Sequence, residues 1–389
     1  MYQVKEYLLP VNGENRIAGY DIARGIAILL MLIINFKGAL SLHESYPEWI
    51  SDIINFLDRR AAVALVIVSG IGLTLFMKNP GTIGYVNPRP GSRRKLIDRA
   101  AFLFLSGYTL SIIWAADILH FYAVFIFIGV FMAVRSNRFL FTTAVIFWMV
   151  SLVQFFEIYG NLQDDQYYNF IITHLINLFF TGYYPVFPWA AFFIAGMFLG
   201  RLDLQDKYLR RRIMTIGLFL LIFIELISRH FVSLSESIRS ASSTHFDTNM
   251  VLLLALGWIM EIDLTIPTPF SVVSGLCSGI IVVMAGVSLS LSKQTKLVRY
   301  MIIGGRNTLT IYIGHIVFLI LFCEIFKVSN SQGVISAVLG ATLFFFVYIK
   351  GISLWFKKYN NGPVETIMRR FSFQRLFLKK PHNVIGSHV

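Results

Sequence analysis

Several polar side chains in this chain stand where chemistry could be done, because they interrupt long apolar runs. Ionisable groups inside a bilayer are costly and face a bundle interior or a watery cavity. Asp21 and Arg24 are three apart, on one face of a helix, where they can pair as an ordinary ion pair at a helix end. Asn35 follows near the other end of the same run, a place where a lone amide often serves as glue between helices. The segment Gly38 to Ile50 then carries His43, Glu44 and Glu48, and Asp58-Arg59-Arg60 comes soon after. Asp117, His120 and His230 add to the same set. Neutral imidazole is the commonest general base near pH 7, so several of these groups could converge on one cavity. A hydrogen-bonded interfacial role is the plainer alternative for each histidine. Glu225 and His315 also sit within apolar runs and need a partner or water, with Arg229 one turn from Glu225 as a local salt-bridge partner.

Other motifs are absent or explained by charge placement. There is no HExxH and no close His pair, so no metal is expected. A P-loop and a GxSxG elbow are missing as well. The triplets Arg93-Arg94-Lys95 and Arg210-Arg211-Arg212 could hold phosphates, and Arg306 in Gly304-Gly305-Arg306-Asn307 could act in the same way or as a membrane anchor.

The elements that must position these groups follow from composition. The 389 residues are 56% hydrophobic and only 14% charged, with a mean hydropathy of +0.67; soluble domains carry about 25% charged residues. No globular core absorbs 36 Phe, 17 Tyr and 6 Trp spread over the whole length, which excludes a soluble enzyme. Cys277 and Cys323 fall in apolar runs and exclude a disulfide framework. The first apolar run has no small-residue cleavage site and is expected to be a retained helix.

With about 20 apolar residues needed per span, ten helices are predicted: roughly 20–40, 60–77, 96–114, 117–134, 138–157, 183–200, 213–232, 270–291, 307–326 and 334–356. The fold class is thus an all-α integral membrane protein, a polytopic bundle of about 10 transmembrane helices (10–11). Residues 1–356 form a single transmembrane domain and 357–389 a basic tail. Residues 249–262 are apolar but short, with Pro267 and Pro269 behind them, and read as an interfacial or re-entrant helix. Phe170 to Phe180 is a second stretch suited to the interface. Lys and Arg concentrate in alternate loops, twenty-two against six, which puts both termini in the cytoplasm. The net charge of +13 is therefore mainly topology, and nucleic acid is not an expected partner.

A resemblance adds to this. Residues Ile17 to Ala27 (IAGYDIARGIA), running on to Asn35-Phe36, resemble the first helix of the YeiB-like membrane proteins. The same opening is similar to that of heparan-α-glucosaminide N-acetyltransferase and its bacterial relatives. The wider acyltransferase-3 family usually has His where this chain has Asn35. Arg59-Arg60-Ala61, Val68-Ser69-Gly70-Ile71-Gly72, Asp117-Ile118-Leu119-His120-Phe121-Tyr122, Tyr184-Pro185-Val186-Phe187-Pro188-Trp189 and Gly304 to His315 match in order. Gly362-Pro363-Val364-Glu365 with Arg369-Arg370 points to the YeiB branch.

The resemblance covers most of residues 15–375 and implies transfer of an acyl group, acetyl above all, from cytoplasmic acyl-CoA to a sugar or other small acceptor. It places the chemistry on Asn35 and His43, although the spacing between them is slightly shorter than in those enzymes. Asn35 would donate to the developing oxyanion, His43 would deprotonate the acceptor, and Asp58 or Asp117 would orient the imidazole. Donor phosphates would lie on Arg24 with Asp21, Arg93, Arg94 and Arg306. Asp117, His120, Tyr122, Trp189 and His315 would line the substrate cavity. Acyl-CoA (acetyl-CoA) is the expected donor, the bilayer and a small-molecule or glycan acceptor are the expected partners, a homodimer is left open, and the bacterial cytoplasmic membrane is the expected location. The alternative is a transporter or flippase using the same cavity, with Glu225 and His315 coupling protons.

Overall fold

The computed structural model describes residues 17–40, 47–79, 86–160, 170–241, 248–262, 264, 267–292, 295–326, 333–359 and 361–372. Apart from one isolated bridge between Lys78 and Pro88, all regular structure among them is helical. In chain order the helices are α1 (Ala18–Leu40), α2 (Glu48–Leu57), α3 (Arg60–Met77), α4 (Ser92–Ser111), α5 (Leu119–Met132) and α6 (Asn137–Gly160). Next come α7 (Phe170–Ile176), which continues as a π-helical turn over Asn177–Thr181, α8 (Val186–Leu199), α9 (Lys207–Ala241) and α10 (Thr248–Met260). The chain ends with α11 (Pro269–Ser290), α12 (Lys296–Arg306), α13 (Thr308–Phe326), α14 (Val334–Trp355) and α15 (Pro363–Arg370).

Small residues set the centre of the bundle. Lipid offers no hydrophobic drive for one apolar helix to bury against another, so close backbone approach at Gly and Ala decides which helices meet. Of the most apolar stretch ending in α3, 78% is buried, against 22% in α9, which puts α3 in the middle and α9 at the rim. Where α3 crosses α8, a Cβ on Gly70 would overlap the Phe193 carbonyl, and one on Gly196 would overlap that of Ile67. Gly25 and Gly305 do the same between α1 and α12, against the backbones of Met301 and Asp21. Gly286 of α11 lies on Gly19 and Ala23 of α1. The amphipathic α12 is thus drawn flat against the start of α1.

Each of the ten expected spans contains a helix, and α2, α7, α10, α12 and α15 lie between or after them. Among the described residues, six helical stretches are long and apolar enough to cross a membrane, and α7 with α8, bent by 48°, make a seventh if taken together. The protein is a multi-pass membrane protein on that count. The remaining expected spans fall short for visible reasons. At 14 residues, α5 is about 21 Å long, less than the ~30 Å of a hydrocarbon core. The first two turns of α4 carry Arg93, Arg94, Lys95, Asp98 and Arg99. The segment 249–262 forms α10, packed against α9 and α11.

Candidate functional site

Two residues 280 positions apart meet where α1 crosses α13: Asn35 Nδ2 lies 2.9 Å from His315 Nε2. His315 Nδ1 is 3.3 Å from the carbonyl of Ile311, one turn back on its own helix. With Nδ1 protonated and donating to that carbonyl, Nε2 accepts from the Asn35 amide. One N–H of Asn35 is then fixed by His315 and the other is left to point elsewhere. His315 is fully buried, edge-on to Trp114 at 6.4 Å and to Tyr312 at 5.4 Å between ring centroids.

Tyr312, one turn before His315 on the same face of α13, links this pair to the α4–α5 connection. Its hydroxyl donates to Asp117 Oδ1 at 3.0 Å and accepts from the Ile118 N–H at 3.2 Å. Asp117 is fully buried. Its Oδ2 takes the N–H groups of Leu119 and His120, at 2.9 and 3.3 Å, so the carboxylate caps the start of α5. The same Oδ2 lies 2.9 Å from His120 Nδ1. That is an aspartate orienting an imidazole whose Nε2 has no partner among the described residues. Gly107 of α4 makes room for it, since a Cβ there would come within 2.7 Å of Asp117 Oδ2.

Helix packing also brings together two arginines, a proximity that the sequence reading missed. Arg99 is exposed on α4 and lies within electrostatic reach of Arg24 and Tyr122. Arg24 and Tyr122 are half-buried beside it. Arg24 Nη1 is 2.9 Å from Asp21 Oδ1, and its other end lies where Gly72 of α3 has no side chain. The signal for Arg99 was a charge two turns inside α4, ahead of Ala-Ala-Phe-Leu-Phe-Leu, the kind of intramembrane cation that marks a ligand path.

The other expected site residues divide clearly. Among the described residues Asn35, Asp117, His120 and His315 come together, with Tyr312 and Trp114 as unforeseen companions. His43 lies outside the described residues. Asp58 is exposed at the α2–α3 turn, followed by Arg59, whose backbone is left-handed at φ 55° and whose Nη1 donates to the Tyr183 carbonyl at 2.5 Å. Trp189 is buried, edge-on to Tyr184 at 4.8 Å. Arg93 and Arg94 are exposed in the first turn of α4, and Arg306 ends α12; none of the three joins the Asn35–His315 cluster in the contacts above. Arg210 is buried on Ser288 and the carbonyls of Leu204 and Gln205, so it holds α9 to its neighbours rather than facing a ligand.

One expected pairing is corrected. Glu225 takes Arg60 of α3 at 2.5 Å and Ser274 of α11 at 2.7 Å, rather than its helix neighbour Arg229. The reason is burial: Arg60 is almost wholly enclosed and requires a carboxylate, and α9 brings Glu225 to it. The two groups that proton-coupled transport would use, Glu225 and His315, are thus both held in interhelical contacts. Among the described residues no group of three or more His, Cys, Asp and Glu could hold a metal ion.

With this geometry in place, comparison with known families is decisive. The profile of heparan-alpha-glucosaminide N-acetyltransferase, catalytic, matches residues 16–235, more than half of the chain. The chain belongs to that family. A second profile, that of a protein of unknown function (DUF418), the YeiB-like family, matches residues 264–375. No curated protein matches the chain. The N-acetyltransferase match holds Asn35, Asp117 and His120, and the YeiB-like match holds Tyr312 and His315, so the cluster is built from both. Membership supports a membrane N-acetyltransferase-type function.

Proposed function

We propose that this protein is a membrane acyltransferase that moves an acyl group, in the first place acetyl, from cytoplasmic acyl-CoA to a sugar or other small acceptor. The observation that carries the reading is the Asn35–His315 contact, with the Asp117–His120 pair joined to the same helix through Tyr312 and with Arg24 and Arg99 near each other. We further propose the ten-helix arrangement in a bacterial cytoplasmic membrane, with both termini inside.

In this reading the donor enters from the inner face with its phosphates toward Arg24 and Arg99. The thioester carbonyl comes to the Asn35 amide, whose N–H not taken by His315 donates to the oxygen as negative charge develops there. An imidazole removes the proton of the acceptor hydroxyl or amine, which attacks the carbonyl carbon. The C–S bond then breaks, and the thiolate of coenzyme A takes the proton from the imidazolium. His43 is the proposed base. The Asp117–His120 pair supports a second position for the same role.

The test is turnover of labelled acetyl-CoA by the purified protein, beside calorimetric binding of acetyl-CoA. Loss of transfer in His43→Ala with donor binding intact is the expected result, and Arg24→Ala should weaken binding. If His120→Ala alone abolishes transfer, the base is reassigned to His120. Failure of the folded wild-type protein to bind any CoA species would sink the acyltransferase reading.

A further inference from the structure

The C-terminal motif Gly362-Pro363-Val364-Glu365 with Arg369-Arg370 has no place in the chemistry above, yet the chain anchors it with care. Gly362 is buried, and a Cβ on it would come within 2.7 Å of Asn307 Oδ1 and Thr310 Oγ1. Pro363 then opens α15 at a position that needs no N–H partner. Glu365, nearly buried, accepts from the Thr310 N–H at 3.0 Å and from the Thr310 hydroxyl. The Val364 N–H returns a bond of 3.1 Å to the same hydroxyl oxygen. These contacts fix the start of α15 to the first turn of α13, two residues before Tyr312.

The far end of the helix is fixed as well. Phe371 packs edge-on against Phe102 of α4, with centroids 5.6 Å apart. Phe102 lies one turn beyond Arg99. Arg369 is thus held between Glu365 and Phe371, on a helix that packs against both α13 and α4. It is exposed, and it repels Arg99 as Arg24 does. Two carboxylates offset part of this charge, Asp21 paired with Arg24 and Glu365 acting on Arg99. Three guanidinium groups near two carboxylates leave an excess of positive charge, which an added anion would relieve.

We infer that α15 delivers Arg369 as a third cation for the phosphates of a coenzyme A-type donor, and that Glu365 is the positioning residue that holds the helix beside Arg99. The inference rests on the acyl-CoA reading above. Arg369 joins Arg24 and Arg99 from the C-terminal segment, so the YeiB-like half completes a site begun by the N-acetyltransferase half.

The full chain in detergent, titrated with coenzyme A by calorimetry at low and high salt, tests this. Arg369→Ala should weaken binding about tenfold at low salt, with a smaller loss at high salt, because a screened charge contact is what has been removed. Arg369→Lys should recover much of the affinity, and Arg370→Ala should stay near wild type. Glu365→Ala should weaken binding comparably, and adding it to Arg369→Ala should bring little further loss, since both act through one contact. If wild type binds coenzyme A and Arg369→Ala binds it equally well, α15 is only a structural cap and the inference is overturned while the acyltransferase reading stands. A loss in Arg369→Ala that ignores salt and is not recovered by Lys overturns it too. If the folded wild type binds no coenzyme A, both readings fall together.

Discussion

In the proposed mechanism, Asn35 carries the most chemical weight of any single side chain. Its amide is oriented by a histidine that is itself tied to a backbone carbonyl, so its remaining N–H is aimed before any substrate arrives. Such preorganised donors act on charge that develops only in the transition state. Asn35→Ala is therefore expected to lower transfer by about 10²–10³-fold, with acetyl-CoA affinity little changed, as measured by turnover beside calorimetry. A parallel fall in affinity would make Asn35 a packing residue. Asn35 was visible in the sequence as a polar residue in an apolar run. Its partner was not, because nothing in a linear pattern ties position 35 to position 315. The same holds for Tyr312, which reads as one more aromatic in TLTIYIGH until its hydroxyl is seen on Asp117.

At the scale of helices, two kinds of contact hold the scaffold, and they should respond differently to mutation. The α1–α12 crossing depends on the absence of side chains: Gly305 lies on the backbone of Asp21, with no space for a Cβ. Gly305→Ala is expected to reduce stability by ~1–3 kcal/mol through overpacking, read as a lower thermal midpoint in detergent. It should also disturb Asp21 and hence Arg24. The α3–α9–α11 junction is instead electrostatic, with Arg60 bonded to Glu225 and Ser274. Arg60→Ala leaves a carboxylate without its counter-charge and should destabilise by ~3 kcal/mol or more. Arg60→Ala combined with Glu225→Ala should be milder than Arg60→Ala alone, as judged by the same melting measurement. A double variant as unstable as the single would show that packing, not charge, dominates there.

For the whole molecule, the proposed topology makes opposite labels of two exposed positions. Arg94, at the start of α4, belongs to the cytoplasmic face, and Asp52, on α2, to the other. In a background with Cys277 and Cys323 replaced, Arg94→Cys and Asp52→Cys should react with a membrane-impermeant maleimide from opposite sides of sealed vesicles. Reaction of both from one side would refute the arrangement. The division of labour between the two halves of the chain is of the same scale. The Asn35–His315 contact joins a residue in the N-acetyltransferase match to one in the YeiB-like match. Neither half alone contains both members of the pair.

Composition by itself determined that the chain lives in a membrane and is helical, because 56% apolar residues with 14% charged leave no other home, and hydropathy requires no knowledge of neighbours. Ordered motifs likewise determined the family, since residue type and spacing are linear properties. Partnership was decided only by the tertiary structure. Glu225 had Arg229 beside it in sequence, but burial of Arg60 drew it across to α3. Arg99 sat unnoticed until helix packing brought it near Arg24 and Arg369. Which polar groups meet depends on which helices cross, and that is set by where small residues let backbones touch. Such contacts join positions hundreds of residues apart, a relation no local pattern can carry.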